Sequence, residues 1–296
     1  MRFLYMLLFS AIGPASFAQQ RGADKMQKDS LLIIEKKTSK GFHSGYILFI
    51  PKGTLLNKQT FLLVEPNNTG LLSDSIEVHT SAAIKLASVS SVGHSIAAGL
   101  QIPLLVPVFP RPASQPFMYS HALDRDVMTE NDPLYKRLDL QLLEMIADAN
   151  NILLSMHIQV DSKFFMNGFS ASATFTNRFS FIHPDKIKAL AIGGFNGKLM
   201  LPQEKLNGAT LNYPIGINDF KTLFHHPFDL PTYRTIPQFI YMGKLDENDV
   251  VQFDDAYSVK ERKIINKNIG QQVQERYLKC QKIYQQHTIA PLFKTY

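Results

Sequence analysis

The chain has 296 residues, 45% hydrophobic and 19% charged, with 31 Lys and Arg against 25 Asp and Glu for a formal charge of +6. That composition suits one large α/β domain with a sizeable core, and the scatter of the basic residues, with no Lys/Arg tract, excludes a nucleic-acid footprint. The single cysteine, Cys280, excludes an internal disulfide, and the lack of tryptophan argues against an aromatic sugar-stacking platform.

The first twenty residues stand apart. Arg2 precedes an apolar run from Phe3 to Ile12, then Gly13, Pro14 and the small residues Ser16 and Ala18. This is the pattern of a signal peptide, residues 1–18, cleaved after Ala18. The run is too short for a membrane anchor. The expectation is an exported protein, periplasmic or extracellular, whose mature domain covers 19–296.

Beyond it, strands alternate with helices. "SLLIIEKK" (30–37) and "SGYILFIP" (44–51) read as neighbouring strands, an antiparallel start. "TFLLVEP" (60–66) is the next strand, followed by a helical stretch from 73 to 100 and a proline-bounded strand, "IPLLVPVFP" (102–110). Leu138, Leu142, Met145, Ala149, Ile152 and Met156 recur every three to four residues, which marks an amphipathic helix over 134–157. "KFFMNG" (163–168) reads as a strand and "ASATFTNRFSFIH" (171–183) as a helix. "IKALAIGG" (187–194), "PQFIYMG" (237–243) and "APLFKTY" (290–296) complete the strands, with a helix marked by Ile269, Val273, Tyr277, Cys280 and Tyr284 before the last. Strands separated by helices imply right-handed crossovers and a doubly wound, mostly parallel sheet. Ligands bind such sheets beyond the carboxyl ends of the strands.

At one such end stands "NGFSAS" (167–172). Ser170 follows an apolar strand and opens a helix, with Gly168 before it and Ala171, Ser172 and Ala173 after it. Small residues are what a sharp strand-to-helix turn requires, and such a turn exposes the serine hydroxyl. The pattern is Gly-x-Ser-x-Ser, looser than Gly-x-Ser-x-Gly. The competing reading is a helix-capping serine.

The chain here resembles the α/β-hydrolase superfamily, and within it secreted bacterial esterases of the dienelactone-hydrolase and feruloyl-esterase kind. The resemblance runs from Gly45 to the end. It rests on "LLVEPNNTG" (62–70), "SHALDRD" (120–126), "RLDLQLLEMIADA" (137–149), "GFSASATFTNRFSFIHPDKIKA" (168–189) and "MGKLDENDVV" (242–251). Ala173 stands where close relatives carry glycine. The resemblance implies a serine hydrolase acting on a small carboxylic ester without a cofactor or metal. It casts Ser170 as nucleophile and the N–H groups of Ala171 and of Asn67 or Asn68, with Asn67 preferred, as the oxyanion hole. Asp246, three residues after Gly243, is the implied acid, with Asp249 second. Asn67 and Asn68 also suit a plain turn, and the two aspartates a solvated one.

The histidine is missing from its expected place. In relatives a Pro-Gly-x-Gly-His loop follows the strand matching "PLFKTY", and this chain stops at Tyr296. Of nine histidines only His287 follows the acid, and it precedes the last strand. Six strand residues span about 20 Å, so His287 should sit at the opposite edge of the sheet. The expectation is a truncated sequence lacking its last helix and its base, hence nearly inactive. The other readings are a short, inactive relative and a non-catalytic exported binding module. In "HALDRD", His121, Asp124 and Asp126 have metal-ligand chemistry, but a salt-bridged loop around Arg125 is preferred. Residues 195–237 exceed a usual connection and read as a cap over the pocket, with His225 and His226 as loop residues.

Overall fold

A computed structural model describes residues 24–68, 70–253 and 256–296. The segment read as a signal peptide lies outside the described residues. Eight strands form the central sheet: β1 (Ser30–Ile34), β2 (Tyr46–Ile50), β3 (Leu63–Val64), β4 (Leu104–Pro107), β5 (Phe164–Phe169), β6 (Ile187–Gly193), β7 (Gln238–Met242) and β8 (Leu292–Thr295). Their spatial order is β1-β2-β4-β3-β5-β6-β7-β8. Only β2 runs against its neighbours; every pair from β4 to β8 is parallel.

Side-chain alternation along the strands sorts the core into two layers. Ile47, Phe49, Leu63, Leu104 and Val106 face one side, against α1 (Ile76–Lys85) and α2 (Val92–Leu100). Tyr46, Leu48, Ile50, Val64 and Leu105 face the other, into the main core. There they meet α3 (Leu138–Ser155), α4 (Ala171–Ile182) and, further along the sheet, α5 (Val259–Asn268) and α6 (Val273–Gln286). Every residue of α4 is buried, because it crosses the centre of this layer.

Three readings need correction. The helical stretch 73–100 is two helices, joined by a wider turn at Leu86–Ser90 and restarted where Ser91 accepts a hydrogen bond from the His94 N–H. The strand 60–66 contributes only β3 to the sheet, while Gln59–Thr60 pairs with Gln159–Val160 instead. The last helix starts at Val273, and α5 before it was not read at all.

Between β4, β3 and β5 the chain changes its direction of travel across the sheet. That switch point opens a crevice at the carboxyl ends of the strands. The loop after β3 and the turn after β5 meet there.

Candidate active site

Ser170 lies between β5 and α4 with φ 59° and ψ −121°. A β-carbon resists this region, so the surroundings must hold the serine in place. Three contacts do so. The Ser170 N–H donates to the Gly193 carbonyl at the end of β6 (3.0 Å). The Phe169 N–H donates to Ser172 Oγ, and the Ser172 hydroxyl donates back to the Phe169 carbonyl, both at 2.9 Å. Gly168 is required by close approach, since a β-carbon there would drive into the Ser172 carbonyl. Ser172, the departure from the tighter motif, is therefore a brace for the turn. Ala173 is buried in the main core. The Ser170 hydroxyl makes no hydrogen bond among the described residues. The first N–H of α4, that of Ala171, stands beside it at a helix N-terminus, where amides lack intrahelical partners.

The two asparagines after β3 behave differently. Asn67 is 0% exposed. Its side chain donates to the Phe109 carbonyl (2.8 Å) and accepts from the Phe109 N–H (3.2 Å). His121 Nε2 shares that carbonyl at 2.8 Å. Burial holds this imidazole neutral, with its pKa pushed down to about 3. Asn67 is thus a buried tie between the loops after β3 and β4. Asn68 is the one that reaches the turn, its Nδ2 donating to the Phe169 carbonyl at 2.7 Å.

Asp246 and Asp249 follow β7. The Asp249 carboxylate accepts from the Val251 N–H (3.0 Å) and pairs with Arg276 (2.6 Å). Arg276 is fully buried and also bonds the Asn196 and Gln271 carbonyls, so Asp249 is committed to holding this end of the molecule together. Among the described residues the Asp246 carboxylate accepts just the Asn248 N–H (3.1 Å), a local turn contact. It borders a cleft of about 560 Å³ shared with Phe169, Gly194, Tyr241 and Tyr296, so it opens towards the serine turn.

All nine histidines fall among the described residues, and none borders this cleft or the one over Ser170. His287 hydrogen-bonds Gln203 at 3.1 Å, before β8 begins. His183 is held by Asp139 at 2.8 Å. His225 is exposed, and His226 bonds the neighbouring Pro227 carbonyl.

The serine cleft itself is tight, about 20 Å³, room for roughly one water. Ala171, Thr174 and Arg178 of α4 line it, facing Tyr119, Asn248 and Tyr257. Through Ala256 and Tyr257 it adjoins a wider cleft of about 780 Å³. Residues 195–237 supply part of that second wall, including Asn212, Pro214 and Asn218. The "HALDRD" segment forms another part. Asp124 accepts the Tyr119 and Val127 N–H groups, and Arg125 pairs with Asp219 at 2.6 Å. The salt bridge thus ties this segment to residues 195–237 and is not internal to the loop. No cluster that could hold a metal ion occurs among the described residues. Arg178 and Tyr257 were not singled out from sequence. The available signal was an arginine at the spacing 170, 174, 178, one face of a helix that is otherwise apolar or small.

No family model matches the chain, and no curated protein matches it. Solved structures do. Poly(aspartic acid) hydrolase-1 from Sphingomonas sp. KT-1 is 15% identical over 91% of this chain and 91% of that one, with TM-score 0.56. A CE1 ferulic acid esterase from Anaeromyces mucronatus is 14% identical over 98% and 90%, with TM-score 0.48. At 15% identity the likeness to the first is one of fold. With the strand order, the single reversed strand and the tight β5–α4 turn, this is an α/β-hydrolase fold.

Proposed function

We propose that this chain is a serine hydrolase of carboxylic esters, with Ser170 as nucleophile. The observation that carries the reading is the serine's strained backbone at the switch-point crevice, its hydroxyl unbonded among the described residues and beside a helix N-terminus. In this reading Ser170 Oγ attacks the ester carbonyl and the ester C–O bond breaks, the alcohol leaving with the serine proton; water then cleaves the acyl-enzyme to the carboxylic acid and frees the serine. The Ala171 N–H stabilises the developing oxyanion. A second donor comes from the turn after β3. Asn68 suits it better than Asn67, which is sealed away. Asp246 orients the base, since Asp249 is already paired. The base belongs in the cleft between Asp246 and Phe169, which no histidine of this chain borders. By itself the chain is then a slow catalyst, working from its oxyanion donors and binding alone. Residues 195–237 act as the cap that shapes the pocket, and the N-terminal segment directs export to the periplasm or beyond.

The cleft beside Asp246 is large enough for imidazole, which gives the test. Residues 19–296 are incubated with a fluorophosphonate probe and with p-nitrophenyl butyrate, with and without millimolar imidazole. The expected result is labelling at Ser170 and an ester turnover that imidazole raises above its protein-free rate, both lost in Ser170→Ala. An imidazole enhancement above the protein-free rate that persists in folded Ser170→Ala would overturn the reading. So would a folded chain that never labels even with imidazole, which would favour a binding module.

A further inference from the structure

Several buried charges among the described residues sit in salt bridges; Arg178 and Lys198 do not. Asp139 is held by Arg137 and His183, Asp148 by Lys37 and Lys40, and Arg276 by Asp249. Arg178 and Lys198 are each only 2% exposed, and neither forms a salt bridge among the described residues. Arg178 donates to the Ala122 carbonyl (2.9 Å) and to the Tyr257 hydroxyl (3.0 Å), both neutral. The Lys198 ammonium donates to the Pro214 carbonyl (2.7 Å) and lies over the Tyr257 ring. Burial and the neighbouring Arg178 hold the Lys198 ammonium well below the usual lysine range. Asp124 attracts Arg178 electrostatically, but no salt bridge joins them among the described residues, and its oxygens accept the Tyr119 and Val127 N–H groups.

A buried cation whose hydrogen-bond partners are all neutral is costly, and an arriving anion would relieve part of that cost. Its position gives it a use. Arg178 is the one charged side chain among the described residues lining the serine cleft. It lies two helical turns after Ser170 on the same face, about 12 Å along the axis. Helical side chains lean towards the N-terminus, so its guanidinium reaches back towards the serine. A planar guanidinium suits a carboxylate in particular, which it can hold through two parallel hydrogen bonds.

We propose that Arg178 anchors an anion subsite in this cleft. The substrate is then an ester with a free carboxylate a few bonds from its scissile carbonyl: a half-ester of a short dicarboxylic acid. The carboxylate takes the place of the Tyr257 hydroxyl on Arg178, and the cleft opens by moving Tyr257. This rests on Ser170 being the nucleophile.

The experiment measures binding of monomethyl glutarate and dimethyl glutarate to the Ser170→Ala protein by calorimetry, so that no turnover intervenes. The two ligands differ mainly in one carboxylate. The monoester should bind at least about tenfold tighter, the worth of one charged hydrogen bond. Arg178→Met should abolish that preference. Tyr257→Phe, which removes only the competing hydroxyl, should enlarge it. Equal binding of the two ligands would overturn the subsite, as would a preference that survives in Arg178→Met. If Arg178→Met does not fold, an unchanged preference in Tyr257→Phe overturns it. Fluorophosphonate labelling of the unmodified chain in the presence of imidazole keeps the two readings separate. Labelling without a carboxylate preference removes only the subsite. A carboxylate preference without labelling removes only the hydrolase.

Discussion

At the scale of single residues, the turn at Ser170 is held by its neighbours' chemistry. Ser172 exchanges two hydrogen bonds with the Phe169 backbone. Losing them leaves two half-buried backbone groups unpaired, so Ser172→Ala should cost about 1–3 kcal/mol in urea unfolding. It should also slow fluorophosphonate labelling, since the turn relaxes. A labelling rate and midpoint equal to the unmodified chain's would show that the brace is idle. The site was partly legible at this scale. A serine among small residues after a strand is a local signal, and it led to Ser170 and Ala171. The sequence favoured Asp246 over Asp249 by its spacing from Gly243; that Asp249 is paired with Arg276, 27 residues further on, was not legible. Nor was the burial of Asn67, which depends on Phe109. Pairings between distant loops leave no trace in local spacing.

At the scale of elements, β1, β2, α3, β5 and α4 were readable because each carries an unbroken apolar period. α5 was not. "VKERKIINKN" has few apolar residues, and only Ile264 and Ile265 reach the core. Its signal lay at its start. The Ser258 hydroxyl accepts from the Glu261 N–H, and Glu261 accepts from the Ser258 N–H, a capping box spelled Ser-x-x-Glu. With so little apolar burial, this helix leans on its cap. Ser258→Ala should lower stability by about 1 kcal/mol. Amide exchange should speed up over 259–262, with α3 unchanged as an internal control. Tyr257 precedes the cap and lines the serine cleft, so a frayed α5 loosens that wall too.

At the scale of the whole molecule, two carboxylates set opposing responses to pH. Burial alone would raise the Asp139 pKa, but hydrogen bonds from Arg137 and His183 bring it down to about 2. An unfolded aspartate titrates near 3.9. The bridge therefore stabilises the fold fully above about pH 4, and that contribution fades as pH falls through 2. It amounts to roughly 2–3 kcal/mol. Asp124 works the other way. Burial, with Asp126 beside it, lifts its pKa to about 7. The folded chain holds a proton there that the unfolded chain releases, so this contribution shrinks as pH rises from about 4 through 7. Urea midpoints measured from pH 2 to 8 should rise steeply at the acid end and then flatten or sag towards neutrality. Asp139→Asn should remove the acid-end rise and leave the sag. A steep acid limb in that variant would assign it to other carboxylates.

The conformation of Ser170 also bears on how such a chain changes over generations. A residue at φ 59° and ψ −121° sits where glycine is at ease and a β-carbon is not. Any lineage with no use for the hydroxyl would gain stability by a single codon change to glycine. Drift at this position therefore runs in one direction, away from serine, and only selection on the hydroxyl opposes it.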